Sequence, residues 1–428
     1  MSSAKFETAF SMEASSIKYG LGVTREIGFE MSRLGGQRVM VVTDPFMAHS
    51  EPVITTMAAL RDVGIECELF DEVEIEPTDA SFKKAIEFAT KGGFDGYVAV
   101  GGGSSIDTAK VSNLYATYPD DFLAYVNAPI GKGYPVPGPL KPLIAVPTTA
   151  GTGSETTGVA IFDFLEMRAK TGIAHRALRP TMGIVDPQNV YSMPKMVAAC
   201  SGFDVLSHGL ESFTAMPFYQ REAPQNPGLR PAYQGANPIS DVWSTKAIQM
   251  VSENIVRATN DPSDHEARGS MMLAATMAGV GFGNAGCHLP HGMSYPVAGM
   301  AKEFVPEGYP SGQPIVPHGM AVILNAPAVF RFTAPADPKR HLHAAMLMGA
   351  DTAKASDEDA GELVANSIIN LIRQLGLPNG LAGVGYSRSD VEDLVSGTLP
   401  QHRVTKLAPR PAGPDDLHRL FLESLTLW

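Results

Sequence analysis

Cysteine is scarce in this chain of 428 residues, which has only Cys67, Cys200 and Cys287 and no CxxC pair. Three widely spaced cysteines predict reduced, buried thiols and no disulfide framework. No apolar run reaches the roughly 18 residues of a membrane span. The first twenty residues also lack the apolar segment of an export signal. These absences predict a cytoplasmic protein that has no membrane partner.

The chain has no excess of basic charge. It contains 33 lysines and arginines against 45 aspartates and glutamates, so its net charge is −12. This balance argues against nucleic acid or an anionic membrane surface as a partner. The length is too great for one hydrophobic core and predicts two domains. A homo-oligomer is left open by the composition.

Strand and helix patterns alternate over the first 187 residues. Short apolar segments at 38–44, 65–70, 96–105 and 142–155 predict strands, the last two running into loops of small residues, with helices predicted between the first three strands and after the third. This alternation indicates an α/β domain over residues 1–187, built on a parallel sheet with crossover helices. From 188 to 428 the spacing is helical, as in 239–259 and 268–283, and predicts an all-α domain. Proline- and glycine-rich pieces at 217–238 and 303–317 are predicted to be long loops, which are often functional.

The usual GxGxxG and P-loop motifs are absent, but two other loops follow predicted strands. These are "GGGSSID" (101–107) and "PTTAGTGSE" (147–155). Glycines allow close approach of the backbone, free N–H groups at a helix start attract phosphate, and Thr148, Thr149 and Thr152 can donate to phosphate or ribose. Asp44 ends the first strong strand, where a carboxylate would bind ribose hydroxyls and favour NAD over NADP. The alternatives are tight turns with capping hydroxyls and, for Asp44, a helix N-cap.

The apolar helical segment at 200–213 carries Asp204 and His208 four residues apart, on one helix face. Other histidines lie in "GCHLPHGMSYP" (286–296) and "VPHGMA" (316–321). Asp204, His208, His291 and His318 together would supply one carboxylate oxygen and three imidazole nitrogens, a set that suits Fe²⁺ or Zn²⁺. The alternative is a group of hydrogen-bonded core histidines, with a local pair between Asp204 and His208.

The segments "VVTD", "GGGSSIDTAK", "PTTAGTGSE", "FDVLSHGLES" and "PHG" together resemble the iron-containing (group III) alcohol dehydrogenases over nearly the whole chain. The resemblance implies a dinucleotide-binding domain, a helical metal domain and an active site between them. It implies NAD(H) and Fe²⁺ (or Zn²⁺) as cofactors, with Asp204, His208, His291 and His318 as metal ligands. It also assigns cofactor binding to Gly102, Gly103, Ser104, Asp107, Thr148, Thr149 and Thr152. Lys170 resembles the lysine that the family places near the cofactor, and is a candidate catalytic residue.

Two departures point to one branch of the family. Tyr295 stands where members usually have the second histidine of His-x-x-x-His, and the interval from His291 to His318 is about twice the usual length. Both resemble the hydroxyacid–oxoacid transhydrogenases, as does "RPAYQGANPISD". His288 is a competing third metal ligand, and His291 is preferred because the following Gly-Met aligns with the family pattern.

The branch implies small hydroxyacid and oxoacid substrates. Hydride would pass through NAD(H) from 4-hydroxybutyrate to 2-oxoglutarate, with succinic semialdehyde and 2-hydroxyglutarate as products. A substrate carboxylate requires a cation; the candidates are Arg230, Lys302, Arg403 and Lys406, each of which has a surface charge as its alternative. Tyr295 or His288 is the candidate for relaying the alcohol proton.

Three other functions compete with this one. The first is a dehydrogenase for 4-hydroxybutyrate or a primary alcohol whose NAD exchanges in each cycle. The second is a lyase similar to dehydroquinate synthase, which would require a cluster of phosphate-binding cations in the helical part. The third is a binding protein without catalytic activity, which would not explain a metal set together with nucleotide loops.

Overall fold

The chain divides into two compact units in a computed structural model that describes residues 5–167, 169–309 and 314–428. One unit comprises residues 13–193, and the other comprises residues 194–428 together with residues 5–12. The division after Met193 lies six residues beyond the predicted boundary at 187. The predicted domain limits, 1–187 and 188–428, stay predictions.

The first unit is built on a sheet of six parallel strands in the order β1-β8-β5-β4-β2-β3, and β6 and β7 form a separate antiparallel hairpin. Its strands among the described residues are β1 (Ser16–Tyr19), β2 (Arg38–Val42), β3 (Glu66–Phe70), β4 (Gly96–Gly101), β5 (Leu143–Pro147), β6 (Val159–Phe164), β7 (Ala169–Ala174) and β8 (Met182–Val185). Its helices are α1 (Ile27–Arg33), α2 (Glu51–Asp62), α3 (Asp79–Gly92) and α4 (Gly103–Thr117). The predicted parallel sheet with crossover helices is confirmed.

Both faces of this sheet are buried, which explains why its strands are continuous apolar runs. In β2, Val39 and Val41 face a core that includes Ile27 of α1 and Leu60 of α2. Met40 and Val42, which alternate with them along the strand, face the opposite core, against α3 and α4. Period-two alternation therefore places successive β2 residues in different cores.

The second unit is helical, as predicted. Its helices are α5 (Lys195–Thr214), α6 (Pro238–Asn260), α7 (His265–Ala285), α8 (Leu289–Gly299), α9 (His318–Ile323), α10 (Ala326–Thr333), α11 (Pro338–Leu347), α12 (Ala360–Leu375), α13 (Val391–Thr398), α14 (His402–Thr405) and α15 (Pro414–Ser424). Helix α5 packs against α6, α7 and α9. The start of α6 is dictated locally, because Asn237 accepts the N–H groups of Ile239 and Ser240 and Pro238 occupies the first turn.

The two predicted long loops are confirmed where the structure describes them. Residues 217–237 contain only short 3₁₀ turns and isolated β-bridges, and 303–309 and 314–317 contain no helix or strand. Residues 310–313 of the second loop lie outside the described residues. In the described part of the chain, no helix is long and apolar enough to cross a membrane.

Candidate active-site residues

Three histidine side chains of the helical unit converge on one carboxylate oxygen, Oδ1 of Asp204. Asp204 Oδ1 lies 3.7 Å from His208 Nε2, 3.5 Å from His291 Nε2 and 3.6 Å from His318 Nε2. Two ligand atoms of a tetrahedral zinc site would be about 3.4 Å apart, given metal–ligand bonds near 2.1 Å. Asp204 Oδ1 and His291 Nε2 are buried and have no hydrogen-bond partner among the described residues. The donor set and its unpaired buried atoms therefore fit a divalent metal ion.

Close backbone packing brings these residues together. Asp204 and His208 occupy one face of α5, His291 is in the first turns of α8, and His318 begins α9. A Cβ at Gly319 would lie 1.9 Å from the carbonyl oxygen of Cys200. Only glycine allows α9 to approach α5 this closely, and the approach places His318 beside Asp204. The glycine of "PHG" thus has a packing role.

Burial and mutual charge shift the pKa values of the cluster strongly. Burial lowers the pKa of His208 to about 3. Burial alone would raise the pKa of Asp204, but His208, His318 and His291 outweigh it and lower the pKa well below its usual range. Burial likewise opposes protonation of His291, yet Cys287, Glu211 and Asp204 raise its pKa well above its ordinary value. His208 is thus a neutral imidazole and Asp204 is a carboxylate, while His291 is an imidazole surrounded by strong hydrogen-bond acceptors.

Glu211 holds His291 in place, and the sequence analysis missed it. Its Oε1 lies 2.6 Å from His291 Nδ1, and its Oε2 accepts the backbone N–H of His288 at 2.7 Å. The contact leaves Nε2 of His291 facing Asp204, as expected for a ligand whose other ring nitrogen donates to a carboxylate. Glu211 lies three residues after His208 on the same helix face, so its spacing was a usable signal.

Cys287 was expected to be only a buried thiol. Its sulfur and nitrogens of His208 and His291 lie within 4.8 Å of one another. Burial raises the pKa of this thiol to about 11. Cys287 therefore lies beside two of the predicted ligands, while the predicted set itself, with Asp204 and His318, stays a prediction.

The ring of His288 does not face Asp204 and the three histidines around it. Its Nε2 lies 3.0 Å from Thr214 Oγ1, and its ring packs edge-on against Phe330. Burial lowers its pKa to about 4. Tyr295 is on the same face of α8 as His291, and its ring stacks near His318 with centroids 6.5 Å apart. Of the two predicted proton relays, only Tyr295 lies beside a proposed ligand; both roles stay predictions.

The four predicted substrate cations differ sharply in their surroundings. Arg230 forms a two-point ion pair with Glu7, at 2.9 and 3.1 Å. Lys302 is bonded to both carboxylate oxygens of Asp390 at 2.8 Å. Lys406 is exposed. Arg403 instead donates from Nη2 to Tyr295 Oη at 2.6 Å, and its Nη1 is buried with no hydrogen-bond partner in the described chain.

In the α/β unit, the predicted cofactor loops follow neighbouring strands. Asp44 follows β2, Gly102 follows β4, and Thr148 follows β5, and these three strands are adjacent in the sheet. A Cβ at Gly103 would lie 2.7 Å from Thr152 Cγ2, so the two loops are in contact at a position without a side chain. Helix α4 begins at Gly103 with no side-chain cap on its first N–H groups. This arrangement fits a dinucleotide phosphate at the carboxyl ends of the strands.

The remaining predicted cofactor residues have structural partners. Both oxygens of Asp107 are engaged, Oδ1 by Ser154 Oγ at 2.6 Å and Oδ2 by the N–H of Ile161 at 2.9 Å. Lys170 is buried and pairs with Glu76 at 2.6 Å and Asp163 at 3.2 Å. The Asp107 contacts link the first loop to Ser154 of the second loop and to β6, while Gly102, Ser104 and Thr149 remain partly exposed. The cofactor roles of all these residues stay predictions.

Asp44 caps a turn and not a helix, because α2 begins only at Glu51, with Ser50 as its N-cap. Its Oδ1 accepts the N–H groups of Phe46 and Met47 at 3.0 and 3.1 Å. Burial raises its pKa. A capping role and a ribose-binding role are compatible, because a carboxylate has two oxygens.

Comparison with known proteins agrees with this combination of fold and residues. Residues 14–187 match the model of the iron-containing alcohol dehydrogenases, and residues 232–425 match the C-terminal model of the Fe-containing alcohol dehydrogenase family. The alcohol dehydrogenase structure from Oenococcus oeni has a TM-score of 0.85 and 26% identity, covering 97% of this chain and all of that one. The chain belongs to the iron-containing alcohol dehydrogenase family and is an oxidoreductase.

Two relatives indicate the branch. The mitochondrial hydroxyacid-oxoacid transhydrogenase of Bos taurus is 53% identical over 422 residues, covering 98% of this chain and 91% of the relative. The corresponding human protein is also 53% identical, with 98% and 90% covered. The expectation of a cytoplasmic enzyme was wrong, since both relatives are named as mitochondrial. Unpaired cysteines distinguish reducing from oxidising surroundings, but they do not distinguish one reducing compartment from another.

Proposed function

We propose that this chain is a hydroxyacid–oxoacid transhydrogenase that acts in the mitochondrion. The observation that carries the proposal is identity of 53% to relatives of that name across 98% of the chain. The proposed substrates are 4-hydroxybutyrate and 2-oxoglutarate. In the first half-reaction the hydroxyacid loses hydride to NAD⁺ and a proton to the protein, giving succinic semialdehyde. In the second, 2-oxoglutarate would take up that hydride and a proton and become 2-hydroxyglutarate.

The metal ligands in this proposal are Asp204, His208, His291 and His318, with Fe²⁺ (or Zn²⁺) as the ion. When bound there, the ion supplies Lewis-acid chemistry that lowers the pKa of a substrate hydroxyl. Glu211 keeps His291 oriented by accepting from Nδ1. His318 has 25% of its side chain exposed while Asp204 has 3%, so substrate reaches the site from the His318 side. Tyr295 borders that side and is the proposed proton relay.

The cofactor residues in this proposal are Asp44, Gly102, Gly103, Ser104, Thr148, Thr149 and Thr152, supported by Asp107 and Lys170. The N-terminus of α4, which has no side-chain cap, and the two contacting loops would bind the diphosphate of NAD(H). NAD(H) supplies the hydride carrier, and the protein contributes its orientation. Retention of NADH between the two half-reactions distinguishes a transhydrogenase from an ordinary dehydrogenase.

The deciding experiment uses metal-loaded protein with no free NAD. The protein is mixed with 4-hydroxybutyrate and 2-oxoglutarate, and the succinic semialdehyde formed per chain is counted. We expect many turnovers. The His318→Ala variant is the matched control and should stay folded while losing metal and turnover. One turnover or none in the wild type, rescued by added NAD without 2-oxoglutarate, would make the chain an exchanging dehydrogenase.

A further inference from the structure

Arg403 is an unusual cation because it is partly buried and has no salt bridge to a carboxylate among the described residues. Its Nη1 is shielded from solvent and unbonded within the described residues. The side chains with the largest effects on its pKa are Tyr295, Tyr233 and Cys287, none of which carries a carboxylate. Burying an unpaired charge is strongly unfavourable unless an anion compensates for it. The positive charge of Arg403 would therefore be stabilised by an anion that is not part of the described chain.

Two tyrosines fix the guanidinium of Arg403. Nη2 donates to Tyr295 Oη at 2.6 Å, and Cζ lies over the Tyr233 ring, 5.2 Å from its centroid. A Cβ at Gly292 would lie 2.6 Å from Thr405 Cγ2, so α14 approaches α8 closely and places Arg403 beside Tyr295. The planar fork is thereby held with one NH₂ group free to donate, which suits a carboxylate.

Both tyrosines also lead to the proposed metal ligands. The Tyr295 ring stacks near His318, with centroids 6.5 Å apart. The Tyr233 ring contacts Phe282 edge-on at 6.3 Å, and Phe282 stacks on His208 at 3.8 Å. The guanidinium of Arg403 is thus connected through aromatic side chains to two proposed metal ligands, His318 and His208.

We propose that Arg403, held by Tyr233 and Tyr295, binds the carboxylate of the substrate while its reacting oxygen is at the metal. This assignment rests on the proposed function and deepens it, because it makes Arg403 the residue that selects acids over simple alcohols. It also separates Arg403 from the three other candidate cations, since Arg230 and Lys302 already have carboxylate partners and Lys406 is exposed. The ligand class is a short carboxylic acid with an oxygen at its far end.

Calorimetric binding of succinate to metal-loaded protein tests the assignment without requiring turnover. The variants are Arg403→Met, Arg403→Lys and a control, Arg410→Met. Arg410 also lies over an aromatic ring, with Cζ 4.1 Å from the Phe332 centroid, but it is bonded elsewhere. A charged hydrogen bond is worth enough to raise the Kd roughly 100-fold in Arg403→Met. Lysine keeps the charge without the fork, so an intermediate Kd is expected.

Each outcome decides the assignment. Unchanged succinate affinity in Arg403→Met, or no succinate binding by the wild type, overturns it. A second readout compares kcat/KM for 4-hydroxybutyrate and 1-butanol with free NAD present; equal losses for both would make Arg403 a structural residue and also overturn it. If succinate binding depends on Arg403 while the transhydrogenase assay shows no turnover, the proposed function fails and the carboxylate site stands.

Discussion

Glu211 is a buried carboxylate that orients a proposed metal ligand, His291, without being one of the proposed ligands itself. Its two oxygens meet the Nδ1 of His291 and the backbone N–H of His288, so the ring and the start of α8 are held by the same group. Such partners of metal-bound histidines fix the tautomer and raise the basicity of the ligand.

The Glu211→Gln variant is expected to bind metal about 10- to 100-fold more weakly while remaining folded. The amide keeps the shape of the side chain but loses the charge that faces His291. Metal affinity is measured by competition with a chelator, and folding by circular dichroism. Glu253→Gln on the exposed side of α6 is the matched control and should bind metal like the wild type. Equal affinities in both variants would show that Glu211 only fills space.

The residue scale also shows what spacing reveals and what it hides. The i, i+4 spacing of Asp204 and His208 predicted a shared helix face, and the structure has one. Arg403 was one of four cations with equal claims in the sequence. Only its tertiary neighbours distinguish it, and Tyr295 lies 108 residues away along the chain. No local pattern reports such a contact.

Among the elements, the predicted strands and helices that had strong periodicity are present. Segment 38–44 became β2 and segment 239–259 became most of α6. Strands β1 and β8 were missed because they are four residues long, and β1 is largely exposed. The β6–β7 hairpin was missed because its pairing, and not its composition, defines it.

The close packing of α9 on α5 yields a prediction for Gly319→Ala. The added Cβ would lie 1.9 Å from the carbonyl oxygen of Cys200, so the helices must separate and carry His318 from Asp204. We expect a loss of about 1–3 kcal/mol in the free energy of unfolding, with a parallel loss of metal affinity. Denaturant titration and metal analysis measure the two effects.

The control for that variant is Gly20→Ala, where no atom lies within 4 Å of the new Cβ. It should change stability by only a few tenths of a kcal/mol, because its position demands no close contact. Normal metal binding and stability in Gly319→Ala would show that α9 can shift freely and that the glycine is incidental.

At the scale of the whole molecule, the sequence predicted the class of each half, and the limits of the two domains stay predictions. Residues 5–12 belong with the helical unit, where Glu7 pairs with Arg230 and Ser11 N–H donates to Gln234 at 2.9 Å. These contacts pin the 217–237 loop, which also carries Tyr233. Partners more than 200 residues apart leave no periodic signal for a sequence-based boundary.

The metal-free helical unit should lose stability as the pH falls from about 6.5 toward 4. Burial lowers the pKa of His208 to about 3 and of His288 to about 4, and it lowers the pKa of His341. In the unfolded chain these groups take up protons near pH 6.5. Their contribution is therefore fully present above 6.5 and is lost on acidification, each with a slope of about 1.4 kcal/mol per pH unit. The pKa of His291 is raised, so its contribution to stability is complete below pH 6.5 and changes only above that pH.

Denaturant titrations of chelator-treated protein at pH 7, 6 and 5 measure this slope, and His341→Asn isolates one of its sources. His341 is wholly buried on α11, with Nδ1 2.8 Å from the carbonyl oxygen of Asp337, and it contacts none of the proposed metal ligands. Asparagine can keep that donor but cannot titrate, so the variant should have a slope shallower by about one proton. A stability that is flat or rises on acidification would mean that these histidines are charged in the folded protein. Their burial would then be compensated by anions or water. The neutral state assigned to His208, a proposed metal ligand, would need the same revision.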